Sequence, residues 1–283
     1  MTIQISTKLN SLTQQLPEGL LVDSIWLEQQ GYSRALRHQY VAAGWLEQSG
    51  RGVFRRPRGQ LSWEQVVISL QTLLKHPISV GGRTALELGG YAHYLPQTQQ
   101  QIHLYSDNKL PAWLLKLPLR ETFVIHNRNR FLPAPVIAAE SLPIDDSASL
   151  EQALVAAGLI VTTWGHWVWP LIISSPERAY LELLDELPQH ESFHMADVIM
   201  EGLTNLSPRR MQSLLEAASS VKVKRLFFVF SERHNHAWFK HLDVSKIDLG
   251  KGKRVLVKGG KLHSKYHITL PEEFTAESVN GIY

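Results

Sequence analysis

Apolar positions recur every three or four residues in the first part of the chain, then give way to short alternating runs. Ile5, Leu9, Leu12 and Leu16 fall on one face of a helix over 3–16, and Pro17-Glu18-Gly19 ends it. Leu21 to Gln30 reads as a second, short amphipathic helix. Gly31-Tyr32 separates it from a third, running from Arg34 to about Ala43. Ser33 offers its hydroxyl to the free N–H groups of that first turn, and Gly44 suits the left-handed position that closes the helix. Leu36, Tyr40, Val41 and Ala43 supply its apolar positions, and Arg34, Arg37, His38 and Gln39 occupy the remaining surface. Two strand-like runs, Trp45–Gln48 and Val53–Arg56, flank Ser49-Gly50-Arg51-Gly52, whose paired glycines suit a tight hairpin. Helix, short turn, polar helix and basic hairpin is the order of a winged helix-turn-helix. The pattern ends this domain near Gln60, after Pro57–Gly59.

The pattern beyond residue 60 mixes both periods. Ser62 opens a helix from Trp63 to Leu74, with Val66, Val67, Leu70, Leu73 and Leu74 on one side. A short helix over Arg83–Leu88 stops at Gly89-Gly90, and Gln101–Ser106 and Phe123–Asn127 read as strands. The run 110–119 is apolar and broken by prolines, with Trp113 packed. Val161–Pro170 carries three tryptophans and almost no charge, which favours core over a base-stacking surface. Ser175-Pro176 opens a helix to about Leu187, and Phe193–Leu203 and Pro208–Ala218 follow; in 221–233 the alternation of Val221 and Val223 argues strand and Leu226, Phe227 and Phe230 argue helix, and helix from about Val221 is preferred. Arg254–Lys258 and Tyr266–Leu270 read as strands around Gly259-Gly260. The class is α+β: an N-terminal domain over 1–60 and a larger mixed α/β part over 61–283, open to subdivision near 170.

Charge sharpens the picture. Residues 31–60 hold six arginines (34, 37, 51, 55, 56 and 58) against one acid, Glu47. Residues 61–220 hold ten basic and sixteen acidic residues, whereas 221–265 hold twelve basic and three acidic. Two basic regions therefore flank an acidic middle inside a chain whose net charge is only +3. Basic surfaces gain affinity for polyanions by releasing counterions, and arginine's planar fork suits phosphate. The alternative for the second region is that it offsets the acidic middle within the folded chain.

With 44% hydrophobic residues the chain has enough to bury a core, and no apolar run approaches the length of a membrane span. The start MTIQISTKLN lacks the features of a signal peptide, and there is no cysteine, so a cytoplasmic protein is expected. His190-Glu191-Ser192-Phe193-His194 matches a zinc-protease spacing. Pro188 and the better cap Ser192 leave His190 outside the helix that this chemistry needs. His234, His236 and His241 lack metal-ligand spacing, and neither Gly81-Gly82 nor the Gly/Lys-rich 249–265 has the Walker arrangement. Asp145-Asp146 sits in a turn-like stretch. No metal, cofactor or catalytic constellation is expected.

Four stretches, in order, resemble the AbiEi family of antitoxins and transcriptional regulators from type IV toxin–antitoxin (abortive infection) systems. They are AGWLEQSGRGVFRRP (43–57), VGGRTALELGGYAHYLP (80–96), SSPERAYLELLDELP (174–188) and the basic C-terminal stretch with its closing strands. The resemblance implies a repressor that binds inverted repeats in its own promoter through the N-terminal domain. It also implies a C-terminal antitoxin domain that counteracts a nucleotidyltransferase-like toxin, without requiring a stable complex. A positive C-terminal face in the family would map here onto Lys222, Lys224, Arg225, Lys251, Lys253, Arg254, Lys258 and Lys261, as a second surface for DNA or toxin.

The combined reading is a DNA-binding regulator of double-stranded DNA, with Ser33, Arg34, Arg37, His38 and Gln39 at the major groove. Arg51, Arg55, Arg56 and Arg58 would track phosphates or enter the minor groove. The rivals are a nucleic-acid-processing enzyme (nuclease or nucleotidyltransferase) with a winged front end, and a scaffold that uses the winged domain for protein contacts.

Overall fold

A computed structural model describes residues 2–91, 101–132, 147–166 and 168–275. The stretch expected as one helix from Leu21 divides at Asp23. Leu21–Asp23 is a strand, β1, because Leu21 and Val22 are fully buried and pair with a later strand. Asp23 then caps α2 (Ser24–Gln29), accepting from Trp26 N at 2.8 Å. Ahead of these lies α1 (Thr2–Gln15), and after them come α3 (Arg34–Ala42), β2 (Glu47–Gly50) and β3 (Val53–Arg55). Ser33 caps α3 as expected, and Gly44 takes a left-handed φ of 76° just beyond its end. The strands form one sheet in the order β1-β3-β2, with a bulge between Gln48 and Gly50.

The exposed stretch 57–60 leads into α4 (Trp63–Thr72), which opens on a full capping box between Ser62 and Gln65. This helix packs in two directions. The Ser69 hydroxyl accepts from Leu21 N of β1 at 2.9 Å. Gln71 reaches the other way, donating to the carbonyls of Ile78 and Ile172 and accepting from Ile172 N at 3.0 Å.

Those carbonyls belong to the central sheet. It comprises β4 (Ile78–Val80), β5 (Gln101–Ser106), β6 (Thr122–Asn127), β7 (Leu159–Trp164) and β8 (Trp169–Ser174), ordered β6-β5-β4-β8-β7. A short helix, α5 (Gly82–Leu88), follows β4, and α6 (Ser147–Ala156) precedes β7. Between β4 and β8 the ladder holds a single pair, Val80 opposite Ile173, so the Gln71 amide supplies hydrogen bonds where the strands part. The tryptophan-rich run forms the β7–β8 hairpin. Trp164 and Trp169 stack at 6.0 Å between centroids and are half-buried against the core rather than enclosed by it. Trp167 and the Asp145-Asp146 pair lie outside the described residues.

The chain then builds a helical layer: α7 (Pro176–Asp185), α8 (Phe193–Gly202), α9 (Pro208–Ala217) and α10 (Val221–His234). Ser175, Ser192, Ser207 and Ser220 each cap the helix that follows, so the serine signals in the sequence set all four starts. Every side chain from Glu177 to Asp185 in α7 is buried, and its charges are met internally. Arg178 Nε reaches Glu182 at 2.8 Å, and the other Glu182 oxygen accepts from Gly82 N at 2.9 Å. Glu177 accepts from Ser207 N at 2.8 Å and pairs with Arg210 at 2.9 Å. A Cβ at Gly81 would strike the Glu182 carboxylate and the Tyr105 ring. The Gly81-Gly82 turn thus lets α5 pack closely, and the chain's own carboxylate fills its anion-binding position. The closing strands are shorter than expected: β9 (Arg254–Val255), β10 (Lys261–Leu262) and β11 (Ile268–Leu270), ordered β10-β11-β9. One buried apolar cluster runs from Leu12 to Phe274 through all these layers.

Candidate nucleic-acid interface

α3 turns Tyr40 inward and leaves Ser33, Arg34, Ala35, His38 and Gln39 exposed. Arg51, at the β2–β3 turn, is exposed too, and Gly52 O accepts from Ser24 N at 2.8 Å, which ties that turn to the start of α2. Arg34, His38, Gln39 and Arg51 therefore offer donors to solvent. Trp45, between α3 and β2, is also 49% exposed, which the sequence pattern did not single out.

The other arginines expected here point elsewhere. Arg37 is 6% exposed. It donates to Ser24 O at 3.3 Å, Tyr32 O at 3.0 Å and the Glu28 carboxylate at 2.8 Å, so it joins α2 to α3 instead of facing a groove. Arg55 is 5% exposed and binds Glu47 and Gly59 O, both at 2.8 Å. Arg56 donates to Thr13 O and Leu16 O, closing the C-terminal end of α1, and to Glu18 at 3.1 Å. Arg58 pairs with the same Glu18 at 3.5 Å and stays partly exposed. Carbonyls stripped of water at helix ends and turns need donors, and these guanidiniums supply them. Arg37→Ala should consequently destabilise the fold by about 2–3 kcal/mol, because two buried carbonyls lose a charged donor. A urea denaturation curve checks this, and a midpoint matching the parent chain would refute the inward role.

The second basic region divides the same way. Arg225 is 2% exposed and binds four carbonyls, those of Leu249, Gly250, Gly252 and His267. Lys224 is buried, and Lys222 binds the carbonyls of Asp185 and Leu187 and pairs with the Asp185 carboxylate. These three brace the interior. Lys251, Lys253, Arg254, Lys258 and Lys261 are exposed along the β9–β10 segment, with Lys261 3.4 Å from Glu272.

One polar cluster went unread in the sequence, because its members lie far apart along the chain and in no motif. Glu186 meets His126 Nδ1 at 3.3 Å, and His126 Nε2 meets His103 Nδ1 at 2.9 Å. Tyr105 and His103 both stack on His126, at 4.6 and 5.1 Å between centroids. Burial, then the neighbouring His126 and Arg83, push the His103 imidazole down to about 4. Burial alone would raise Glu186, but the hydrogen bond and charge of His126, with His190 and His103 beyond, hold it below the usual carboxylate range. With Glu186 ionised, the bonding order makes His126 a donor at Nδ1 and His103 a donor to it. The His103 Nε2 atom is then left buried without a partner among the described residues. His234 binds Asp197 at 2.8 Å and His236 binds Met200 O at 2.8 Å. Among the described residues, no three His, Asp or Glu side chains converge so as to hold a metal ion, and no helix is long and apolar enough to cross a membrane. His190 lies outside α8, so the zinc-protease spacing is broken as expected.

Comparison with known proteins gives two adjoining matches that meet near residue 98, beyond the boundary expected near 60. Residues 5–97 match the family model described as transcriptional regulator, AbiEi antitoxin N-terminal domain. Residues 99–271 match the model for transcriptional regulator, AbiEi antitoxin, type IV TA system. No curated protein matches the chain. Among solved structures, the crystal structure of the RV2827C protein from Mycobacterium tuberculosis is similar, with a TM-score of 0.54 at 15% identity. The match covers 93% of this chain and 89% of that one. At that identity the likeness is one of fold. The chain belongs to the AbiEi family, the antitoxin and transcriptional-regulator family of type IV toxin–antitoxin systems.

Proposed function

We propose that this chain represses its own operon by binding double-stranded promoter DNA, and that its larger C-terminal part counteracts a nucleotidyltransferase-like toxin without a catalytic step of its own. The observation that carries the DNA reading is the exposed polar face of α3 together with the exposed Arg51 of the hairpin turn. On this reading α1, α2, α3 and the β2–β3 hairpin act as a winged helix-turn-helix. Arg34, His38 and Gln39 enter the major groove, with Ser33 and the α3 N-terminus on a phosphate. Arg51 contacts backbone or minor groove, and Arg58 is a peripheral phosphate contact. The exposed Lys251, Lys253, Arg254, Lys258 and Lys261 form a second basic surface for DNA or toxin, acting in the cytoplasm where both are found.

The test is a titration of the full chain on DNA from upstream of its own gene and on random DNA, at several salt concentrations. Arg34→Ala with Arg51→Ala should weaken binding to both DNAs, cost most on the promoter, and reduce the slope of log affinity against log salt by about one, for the phosphate contact of Arg51. Gln39→Ala should narrow the gap between promoter and random DNA. An unaltered salt slope in the double variant would remove the hairpin from the interface. Absence of any selective binding by the parent chain would favour a protein-contact role.

A further inference from the structure

Strand pairing puts Ile78, Ser106, Asn127, Trp164 and Trp169 at the same end of the central sheet. That end faces the N-terminal elements. Trp169 shares a cleft with Pro17, Glu18 and Arg56. Beyond β5, the chain makes a short helical turn, Leu114–Lys116, and this turn sits against the β2–β3 hairpin. A Cβ placed on Gly50 would come 3.7 Å from Leu117 Cδ2. Gly50 directly precedes Arg51, and Leu117 directly follows Lys116. Leu114 and Leu117 are buried, which leaves Leu115 and Lys116 between them to solvent.

Charge is sorted to this end of the sheet. Acids outnumber basic residues sixteen to ten over 61–220, and that stretch holds three lysines, at 75, 109 and 116. All three fall in the connections 73–77 and 107–117, which enter and leave the sheet at the end facing the hairpin. The same connections hold one acid, Asp107, and it pairs with the buried Arg128. Lys75 is half-buried, whereas Lys109 and Lys116 are exposed and have no ion pair among the described residues. Neither belongs to the basic β9–β10 segment.

Resting on the DNA reading, we infer that a duplex engaged by α3 and Arg51 continues over this end of the central sheet, where Lys116 and then Lys109 contact its phosphates. A duplex carries a charge about every 3.4 Å along each strand. A phosphate at Arg51 therefore has neighbours over whatever lies beside the hairpin turn, and what lies there is the Leu114–Lys116 turn. Lysine suits the place, because a point charge on a flexible stem meets a phosphate without reading a base. The C-terminal part thereby adds affinity for any sequence, and the choice of sequence stays with α3.

The test is a salt titration of the full chain on promoter and random duplexes. Lys116→Ala should reduce the slope of log affinity against log salt by about one, and Lys109→Ala with Lys116→Ala by about two. The ratio of promoter to random affinity should stay unchanged. Both side chains are exposed, so circular dichroism spectra should match that of the parent chain. Lys116→Gln repeats the measurement should Lys116→Ala fail to fold. On a duplex carrying a single binding site, trimming from one end should erase the difference between parent and Lys116→Ala while Arg51→Ala still weakens binding. An unchanged slope in the lysine variants, or a loss that persists on the shortest duplex Arg51 still contacts, would overturn the inference. In either case a slope lowered by Arg51→Ala would leave the DNA reading standing. A parent chain that binds no DNA would overturn both.

Discussion

Arg178→Met is expected to cost about 3–5 kcal/mol of folding stability, enough to remove much of what holds an ordinary domain together. Arg178 and Glu182 lie one turn apart in α7, and each side chain is 1% exposed. Burying two charges is tolerable because each desolvated group finds a fixed partner: Arg178 also donates to Ala157 O at 2.8 Å, and Glu182 accepts from Gly82 N. Methionine fills a similar volume but supplies no charge, so Glu182 would remain ionised in the interior with one amide, or take up a proton at a cost. The double variant Arg178→Met, Glu182→Met should recover most of the loss, since a buried pair is replaced more cheaply than it is broken. Urea midpoints at constant m-value provide the measurement. If the double variant is less stable than the single one, packing rather than the unpaired carboxylate is responsible.

Acid should weaken the fold through the Glu186–His126–His103 cluster. The His103 imidazole titrates near 6.5 when unfolded and near 4 when folded, so between these values the unfolded chain binds the extra proton. Stability contributed by keeping His103 neutral is complete above about pH 6.5 and is lost as the pH falls through the folded value. Its maximum is about 3 kcal/mol, from 1.36 kcal/mol per unit. Glu186 acts in the same direction, since its depressed folded value makes its contribution disappear on acidification. Unfolding free energy measured from pH 7 to pH 4 should therefore fall. In His103→Phe, which keeps a ring on the His126 face, the slope should be shallower by up to about one proton. Identical slopes in the two proteins would mean that His103 takes up its proton as readily folded as unfolded.

Local signals in the sequence were the readable ones. Serine caps at 33, 62, 175 and 192 and the prolines at 176 and 208 placed helix starts, because a cap is a contact between neighbours. The order of pieces also revealed the family. What stayed hidden depends on the direction of a side chain in three dimensions. Arg37 and Arg34 are the same residue type in one helix, yet one joins two helices and the other faces solvent. A count of six arginines over 31–60 therefore overstated the surface available to phosphate. Lys222, Lys224 and Arg225 look like surface charge in the sequence and turn inward in the fold for the same reason. β1 reads locally as helix because its pairing partner, β3, is distant in sequence, with Leu21 opposite Arg55. The histidine cluster joins β5, β6 and the end of α7, a proximity that no spacing encodes.

β4 has a consequence for how such molecules diversify. It falls within the matched span 5–97, yet it is the middle strand of a sheet whose other four strands fall within 99–271. A crossover near residue 97 between two relatives would transplant the centre of a sheet into foreign neighbours. The hybrid would keep its shape only where both parents agree at the contacts of Val80 with Ile173 and Leu104. The N-terminal segment is therefore a poor cassette for recombination, in the laboratory or in a genome. Variation reaches the exposed side of α3 most cheaply one residue at a time, at positions such as Arg34, Ala35, His38 and Gln39 that the interior does not use.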